Sequence, residues 1–235
     1  MPRKTPRNGD DELLLARISE AAGRERIGRR HATFPGLAHK SCPAVMRILA
    51  IREAQRAATR LDLYEHGMTV AVNGRIHVVR YDSTSVFRAY ASHQDHHLET
   101  YAVTDVHGQQ VALCGRPERG LTRIASCGGF HDAEVWQPEI QRAVTEVQLP
   151  RAMAALGKGE QLAFGDIWLT KEKVGSGQVS ARWPLVERIE IHNGSVELNI
   201  AGKWHGLGTV VSEVPNFFVL RTLVELLRTD GACPP

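Results

Sequence analysis

The Asn193-Gly194 dipeptide constrains the fold most, because it lies between two segments in which apolar and polar residues alternate. Asn-Gly is the strongest short hairpin signal, since a type I′ turn requires a positive φ at both central positions. A two-residue turn pairs Ile191 with Val196. The next apolar pair on the same face is then Ile189 with Leu198. Polar residues take the other face: Arg188, Glu190, Glu197 and Asn199. A shift by one residue would turn one apolar set toward water, so the pattern predicts an antiparallel sheet with one wet face.

A C-terminal helix is predicted after Pro215, because Asn216 is a favoured N-cap residue and proline is disfavoured inside helices. The apolar residues beyond Phe217 recur at helical spacing: Leu220, Leu223, Val224, Leu226 and Leu227. The helix is expected to stop before Gly231. Its apolar stripe is wide enough to cover the preceding strands.

The composition is that of a globular protein, with 235 residues of which 43% are hydrophobic. This length allows one large domain or two of about a hundred residues. No apolar run approaches the roughly 20 residues that span a bilayer, and the first residues lack the apolar core of a signal peptide. The expected location is the cytoplasm, with peripheral contact at the inner face of the membrane as a second expectation.

Positive charge is concentrated at the N-terminus. Residues 1–40 hold nine Lys or Arg and five Asp or Glu, a balance of +4 against +3 for the whole chain. Residues 1–9 have the composition of a disordered segment, and residues 12–30 predict an amphipathic helix. Four arginines lie near its end: Arg24, Arg26, Arg29 and Arg30. They are interpreted either as a solvated face or as a patch that binds an anionic surface.

The cysteines are four in number and widely separated: Cys42, Cys114, Cys127 and Cys233. They form no CxxC pair, so the spacing predicts neither a disulfide framework nor a zinc site. Buried or unreactive thiols are expected.

The first half predicts strands between residues 61 and 113, with a polar loop over residues 92–97. A two-residue turn at Asn73-Gly74 would place Val70 opposite His77. A three-residue loop with a bulge instead pairs Val70 with Val78, and we therefore predict the bulge.

A second helix is predicted after Asp132, with Ile140, Val144 and Val147 on its apolar face. Pro150 is expected to kink or divide this helix, and Gly157 to end it.

The order of strands, turn and helix occurs twice. The pairs Arg80-Tyr81 and Arg182-Trp183 are each expected to start a central strand. A spacing of about one hundred residues indicates duplicated domains and not a solenoid.

Five short motifs carry a resemblance to a known family. They are residues 63–67 (LYEHG), 149–157 (LPRAMAALG), 164–165 (FG), 183–186 (WPLV) and 214–217 (VPNF). On these motifs, residues 61–228 resemble an uncharacterised actinobacterial family of tandem bacterial pleckstrin-homology-like (PH-like) domains. The resemblance implies an α+β fold of two tandem PH-like units, each a small curved antiparallel sheet or partial barrel capped by a C-terminal helix. It implies no activity.

The expected domain organisation has four parts. They are residues 1–45, a basic and partly disordered N-terminal segment; residues 46–157, a first PH-like domain ending in a long helix; residues 158–229, a second PH-like domain; and residues 230–235, a tail.

A histidine-rich stretch is the most suggestive cluster for chemistry. His93, His96 and His97 surround Asp95, and imidazole and carboxylate groups bind transition metals. They lack helical spacing and a fourth ligand at a recognisable distance, which favours a polar loop. The alternative is a metal site that serves a metal-dependent enzyme or a metal sensor.

Catalytic motifs are absent from the sequence. Residues 127–129 and 206–208 lack the Lys-Ser/Thr of a phosphate loop, and no GxSxG, HExxH or paired-carboxylate motif occurs. A dense basic stripe with interleaved aromatic residues, typical of nucleic-acid binding, is also absent. The four tryptophans, Trp136, Trp168, Trp183 and Trp204, are expected as core anchors, with a ligand-stacking residue among them as the alternative; Trp204 is the one whose exposure would indicate that role.

The expected function is that of a non-enzymatic binding or scaffold protein without a cofactor. It would dock a protein or peptide partner, with strand addition to a sheet edge as the natural mode. Contact with a membrane surface is a second expectation, and nucleic acid is not an expected partner. A small-molecule carrier with a pocket under either helix is a further alternative.

Overall fold

The computed structural model describes residues 7–37, 59–93, 96–115 and 126–231, with the backbone alone at residues 7–10, 90–93, 96–99, 126, 230 and 231. These residues form three helices: α1 (Arg7–Arg24), α2 (Ala133–Gly157) and α3 (Phe217–Gly231). The strands of the first half are β1 (Arg30–Pro35), β2 (Arg60–Tyr64), β3 (Gly67–Val72), β4 (Arg75–Arg80), β5 (Val86–His93), β6 (His96–Thr104), β7 (Gln110–Cys114) and β8 (Ser126–Gly129). The strands of the second half are β9 (Leu162–Phe164), β10 (Ile167–Leu169), β11 (Lys173–Ser176), β12 (Val179–Arg182), β13 (Val186–His192), β14 (Ser195–Ile200) and β15 (Lys203–Val210).

The described strands form four small sheets, with the orders β1-β2-β3-β4, β5-β6-β7-β8, β12-β11-β10-β9 and β13-β14-β15. Neighbouring strands are mostly antiparallel, whereas β7 and β8 are parallel. Each sheet in the described part of the chain has two free edges and remains open. The fold is therefore a mixed α/β one built from small sheets and three helices.

Two compact units divide the chain. Unit 1 comprises Met1–Thr84 with Val103–Glu139, and unit 2 comprises Ser85–Ala102 with Ile140–Pro235. The boundary passes within β6 and within α2. The domain boundaries expected from the sequence, residues 46–157 and 158–229, stay a prediction, as does the description of two tandem PH-like units.

The N-terminal segment contributes α1 and β1 to unit 1, and the partly disordered segment expected over residues 1–45 stays a prediction. Helix α1 begins at Arg7, and β1 pairs antiparallel with β2. Ile18 and Ile27 are fully buried, and Phe34 in β1 is nearly so. These apolar side chains bury enough surface to hold the segment in place. Residues 38–58 lie outside the described residues.

The Asn73-Gly74 hairpin has the two-residue register, so the predicted bulge is wrong. Val70 lies opposite His77, and both turn residues have positive φ, 52° and 73°. The alternation of apolar and polar residues could not identify the register of this hairpin, because every residue of β3 is buried. The structure accommodates His77 through a 2.7 Å contact between its Nδ1 and Oδ2 of Asp105.

The Asn193-Gly194 hairpin has the predicted register. Ile191 pairs with Val196 and Ile189 pairs with Leu198. The turn residues have φ values of 50° and 80°, as a type I′ turn requires. Three of these apolar side chains are buried, and Ile191 is half-buried. The one-sided sheet is thus confirmed.

The predicted polar loop over residues 92–97 is wrong at both ends, because β5 continues to His93 and β6 begins at His96. Likewise, the two Arg-aromatic pairs end a strand and do not start one. Arg80 is the last residue of β4, and Arg182 is the last residue of β12. The following aromatic side chains, Tyr81 and Trp183, are both buried. A buried aromatic ring at a chain reversal fills the core and leaves the backbone free to turn.

Helix α2 is one continuous helix of 25 residues, so Pro150 does not divide it. A proline removes a single backbone hydrogen bond. Buried Ile140 and Val144 on one side of Pro150, and buried Leu156 on the other, hold the flanking turns by packing.

Helix α3 covers the strands of unit 2, as expected. It contacts β13 and β5, and Leu220, Leu223 and Val224 are fully buried. Leu226, assigned to the apolar stripe from the sequence, is 40% exposed. The helix includes Gly231 among the described residues, one residue beyond the expected end.

Asn216 directly precedes α3, and its carbonyl accepts hydrogen bonds from the Val219 and Leu220 amides at 2.8 and 3.2 Å. Its backbone lies in the left-handed region, with φ 49°. Its Oδ1 accepts a hydrogen bond from the Val86 amide at 2.8 Å, and its own amide donates to the Val86 carbonyl at 2.8 Å. Its Nδ2 donates to Oε1 of Gln148 at 2.8 Å. The side chain therefore joins α3 to β5 and α2 within unit 2.

Replacing Gly194 by valine is expected to destabilise the protein by about 1–3 kcal/mol, because a β-branched residue is strained at positive φ. A Cβ at Gly194 meets no atom within 4 Å, so the loss measures the backbone conformation alone. Urea unfolding checks this. Gly206→Val is the matched control, since Gly206 also has open space and lacks a left-handed φ. Equal losses in the two variants would contradict the interpretation.

Replacing Asn216 by glycine is expected to lower the free energy of unfolding by about 1–3 kcal/mol, because it leaves the buried Val86 amide without its acceptor. Glycine keeps the positive φ without strain. Asn193→Gly is the control, because Asn193 has a similar φ but is exposed in its turn. A loss in the control as large as in Asn216→Gly would show that the backbone conformation, and not the side-chain bonds, determines the effect.

Candidate docking surface

The outer face of β13-β14-β15 presents a cluster of aromatic and charged side chains, here called the Trp204 face. Pairing of β13 with β14 and of β14 with β15 places Arg188, Asn199 and Trp204 in one row across the sheet. The centroid of the Trp204 ring lies 4.9 Å from the centroid of the His192 ring and 5.5 Å from the guanidinium carbon of Arg188. Trp204 is 38% exposed. The guanidinium over the indole is a cation–π contact.

Asn199 lies beneath this cluster and is only 4% exposed. The sequence pattern assigned it to the wet face, and it does lie on that face. Its burial follows because Arg188 and Trp204 flank it in the same row. Its Oδ1 is buried and accepts no hydrogen bond from the described residues. The Asn199 amide oxygen can therefore still accept a hydrogen bond.

Charges on the Trp204 face are mixed. Nε2 of His192 lies 3.2 Å from Oε2 of Glu190, and an Arg188 nitrogen lies 3.2 Å from Oε1 of the same carboxylate. All three groups are solvent-exposed, so these contacts contribute little to stability. They do fix the orientations of the Arg188 and His192 side chains around the indole.

The other tryptophans differ from Trp204. Trp136 and Trp183 are buried, and Nε1 of Trp183 donates to the Thr170 carbonyl at 3.0 Å. Trp168 is half-buried, with the Lys173 ammonium 5.2 Å from its ring centroid. Two of the three are therefore core anchors, as expected.

The predicted metal-binding residues are not tested by the geometry. His93 ends β5, and His96 and His97 open β6, but their side chains lie outside the described part of the structure. Elsewhere in the described ranges, no three His, Cys, Asp or Glu side chains gather as a metal site. The His93, His96 and His97 site stays a prediction.

Of the four arginines of the predicted basic patch, Arg24 ends α1, Arg26 and Arg29 lie between α1 and β1, and Arg30 begins β1. Arg24 pairs with Glu20 at 2.8 Å, and a nitrogen of Arg30 lies 3.7 Å from the buried Asp62 carboxylate. Arg26 and Arg29 are exposed. The patch therefore presents two exposed cations, Arg26 and Arg29, to an anionic surface. The other two arginines face carboxylates.

Two cysteines that the sequence separates by 13 positions meet in unit 1. The Sγ atoms of Cys114 in β7 and Cys127 in β8 are 3.4 Å apart. Cys114 is 1% exposed, whereas Cys127 is exposed. The hydrogen bond from Cys114 lowers the pKa of Cys127 to about 7, against the effect of burial, which raises it. Sequence spacing gave no signal for this pair, because it arises from parallel pairing of the two strands.

Alkylation of Cys127 by iodoacetamide is expected to have a midpoint near pH 7, because the thiolate reacts and the Cys114 thiol stabilises it. Cys114→Val removes that donor and leaves only the burial that raises the pKa. Its midpoint is expected to move up to or above that of an ordinary thiol, about 8.5. Peptide-level mass spectrometry measures both profiles. The same midpoint in the two proteins would contradict the assignment.

None of the described helices has the length and apolarity needed to cross a bilayer. No curated protein matches the chain. A family model described as a family of unknown function (DUF6585) matches residues 42–232, so that α1 and β1 precede the matched region. This agrees with the likeness to an uncharacterised family noted in the sequence. Because the match covers most of the 235 residues, the chain belongs to the family DUF6585.

Proposed function

We propose that the chain is a non-enzymatic binding module that docks an extended segment of a partner protein on the Trp204 face. The observation that carries this proposal is the exposed indole of Trp204 above the unpartnered Oδ1 of Asn199. Tryptophan and arginine are the residues most enriched at binding hot spots. An exposed, oriented tryptophan stacked on arginine supplies both.

An extended segment is favoured over a globular partner because β15 is an edge strand. The first four residues of β15, Lys203 to Gly206, are all exposed. Among the described strands β15 pairs only with β14, and although its Leu207 carbonyl accepts from the Ser176 hydroxyl, the exposed segment Lys203–Gly206 offers backbone donors and acceptors for strand addition. Side chains of the added segment that point to the outer face would then meet Trp204.

The chemistry of the face indicates an apolar or aromatic side chain in the partner segment. Arg188 offsets the charge of Glu190, and Glu197 adds one carboxylate to the same face, so the net charge is small and does not select a strongly acidic or basic ligand. The indole supplies a flat apolar contact, and the Asn199 amide oxygen supplies an acceptor for an N–H of the segment.

The tandem PH-like description belongs to the same proposal. Its support is the resemblance of the sequence motifs together with small antiparallel sheets and a helix, α3, that packs on the strands of unit 2. In this interpretation the absence of recognised catalytic motifs from the sequence reflects a docking role. The cytoplasm, with peripheral contact at a membrane, remains the proposed location.

Membrane contact through Arg24, Arg26, Arg29 and Arg30 is the weaker candidate. Each Lys or Arg near an anionic surface contributes about 1 kcal/mol, and two of the four arginines already face carboxylates. Flotation with phosphatidylserine vesicles tests it. If the chain floats and Arg26→Glu with Arg29→Glu abolishes flotation, the arginine patch binds the membrane; a parent chain that does not float would contradict this candidate.

The docking proposal is tested with a photo-crosslinking amino acid at Lys203, next to Trp204, in the cell that makes the protein. The expected result is one crosslinked partner segment that mass spectrometry identifies and that a Trp204→Ala background loses. A synthetic peptide of that segment is expected to bind the purified chain more than tenfold more weakly after Trp204→Ala. Trp204→Phe should retain part of the affinity.

Two controls accompany the experiment. Leu13→Ala removes an exposed apolar side chain from α1, and Arg221→Ala removes an exposed arginine from α3. Both should leave peptide affinity unchanged. Crosslinks that persist in the Trp204→Ala background, or equal losses in the controls, would contradict docking on this face.

A further inference from the structure

The thiols of Cys114 and Cys127 lie in a defined arrangement at one end of the parallel β7–β8 pair. Ala112 pairs with Cys127 and Cys114 pairs with Gly129, so the two cysteines are offset by two positions on neighbouring strands. Their sulfurs are 3.4 Å apart and both are free thiols. A disulfide needs about 2.05 Å between the sulfurs. A shift of little more than one ångström therefore brings them to bonding distance.

We infer that Cys114 and Cys127 form a reversible dithiol switch that hydroperoxides oxidise to an internal disulfide. The two thiols have different accessibility, which assigns their roles. Cys127 is exposed and meets the oxidant, whereas Cys114 is buried with its sulfur 3.4 Å from that of Cys127. Redox-reactive cysteines are typically accessible thiolates with a resolving cysteine beside them.

The reaction balances with hydrogen peroxide as the oxidant. The Cys127 thiolate attacks one peroxide oxygen, the O–O bond breaks, and hydroxide leaves to take up a proton as water. Cys127 is then a sulfenic acid. The Cys114 sulfur attacks the sulfenic sulfur, the S–O bond breaks, and a second water leaves with the thiol proton. Two thiols and one peroxide thus give one disulfide and two waters.

Local electrostatics supports this assignment of roles. The hydrogen bond from Cys114 lowers the pKa of Cys127 to about 7, so about half of Cys127 is thiolate at neutral pH. The same hydrogen bond places the resolving sulfur beside the atom that it attacks. One contact therefore both activates the first cysteine and positions the second.

The offset of the two cysteines also favours reversibility. Residues two positions apart on neighbouring strands are not directly opposite, so closing the disulfide requires a local adjustment of the backbone at Cys114 and Cys127. Strained disulfides have higher reduction potentials and are the labile ones. A small dithiol reductant is thus expected to reopen the bond. The bond closes a ring through residues 114–127 within unit 1.

The test uses the full chain with Cys42→Ser and Cys233→Ser, which leaves only the two thiols in question. Equimolar hydrogen peroxide is expected to remove two hydrogen atoms from the intact mass, to link the peptides of Cys114 and Cys127, and to abolish both free thiols. Dithiothreitol should restore them. In Cys114→Ser, the sulfenic acid on Cys127 should persist and be trapped by dimedone.

Cys127→Ser is the matched variant, in which the buried Cys114 should stay reduced at the same peroxide dose. The inference is overturned if Cys127 gains oxygen to the sulfinic acid without linking to Cys114. It is also overturned if oxidation links two chains. The mass and peptide map of the parent chain decide these outcomes even where a single variant fails to fold.

Discussion

The pair of hydrogen bonds between Asn216 and the Val86 backbone is the interaction on which unit 2 depends most. Asn216 forms two hydrogen bonds with the backbone of Val86, 130 positions away in the sequence, and donates a third to Gln148. Because these bonds fix where α3 starts, they also fix which of its residues face β13. Leu220 and Leu223 then fill the space under the sheet whose other face carries Trp204. The hydrogen bonds of a buried amide thus help to position the helix that supports the candidate docking surface.

Unit 1 uses buried charge for the same purpose. Asp62 is fully buried in β2 and is bonded to Nε of Arg60 at 2.7 Å and to the Thr33 hydroxyl of β1 at 2.5 Å. A buried carboxylate is tolerated only when it is paired and hydrogen-bonded. Thr33 therefore gives β1 a specific place on the edge of β2, beyond its apolar contacts. This explains how a segment that precedes the family match becomes the first strand of a sheet within it.

Local rules predicted the structure where one face meets water and failed where both faces are buried. The Asn193-Gly194 register, the buried stripe of α3 and the helix over residues 133–157 follow from alternation, helical spacing and breakers. Asn73-Gly74 has the same turn residues, but the two-residue register places His77 opposite the apolar Val70. The sequence gave no local sign of its partner Asp105, which is 28 residues away. Asn216 and the Cys114–Cys127 pair depend on contacts more distant still in sequence or set by parallel pairing. No local pattern encodes such partners, whereas buried histidine and asparagine signal that one exists.

The Trp204 face has the energetic properties of a surface prepared for a ligand. The contacts of Trp204 with Arg188 and His192 already restrict the ring, so less conformational entropy is lost when a partner covers it. Beneath it, the buried Oδ1 of Asn199 without a hydrogen bond costs the free protein about 1–3 kcal/mol. A segment that donates an N–H to this oxygen removes that cost only in the complex. Under the docking proposal, part of the binding free energy would then come from a penalty held in the unbound fold.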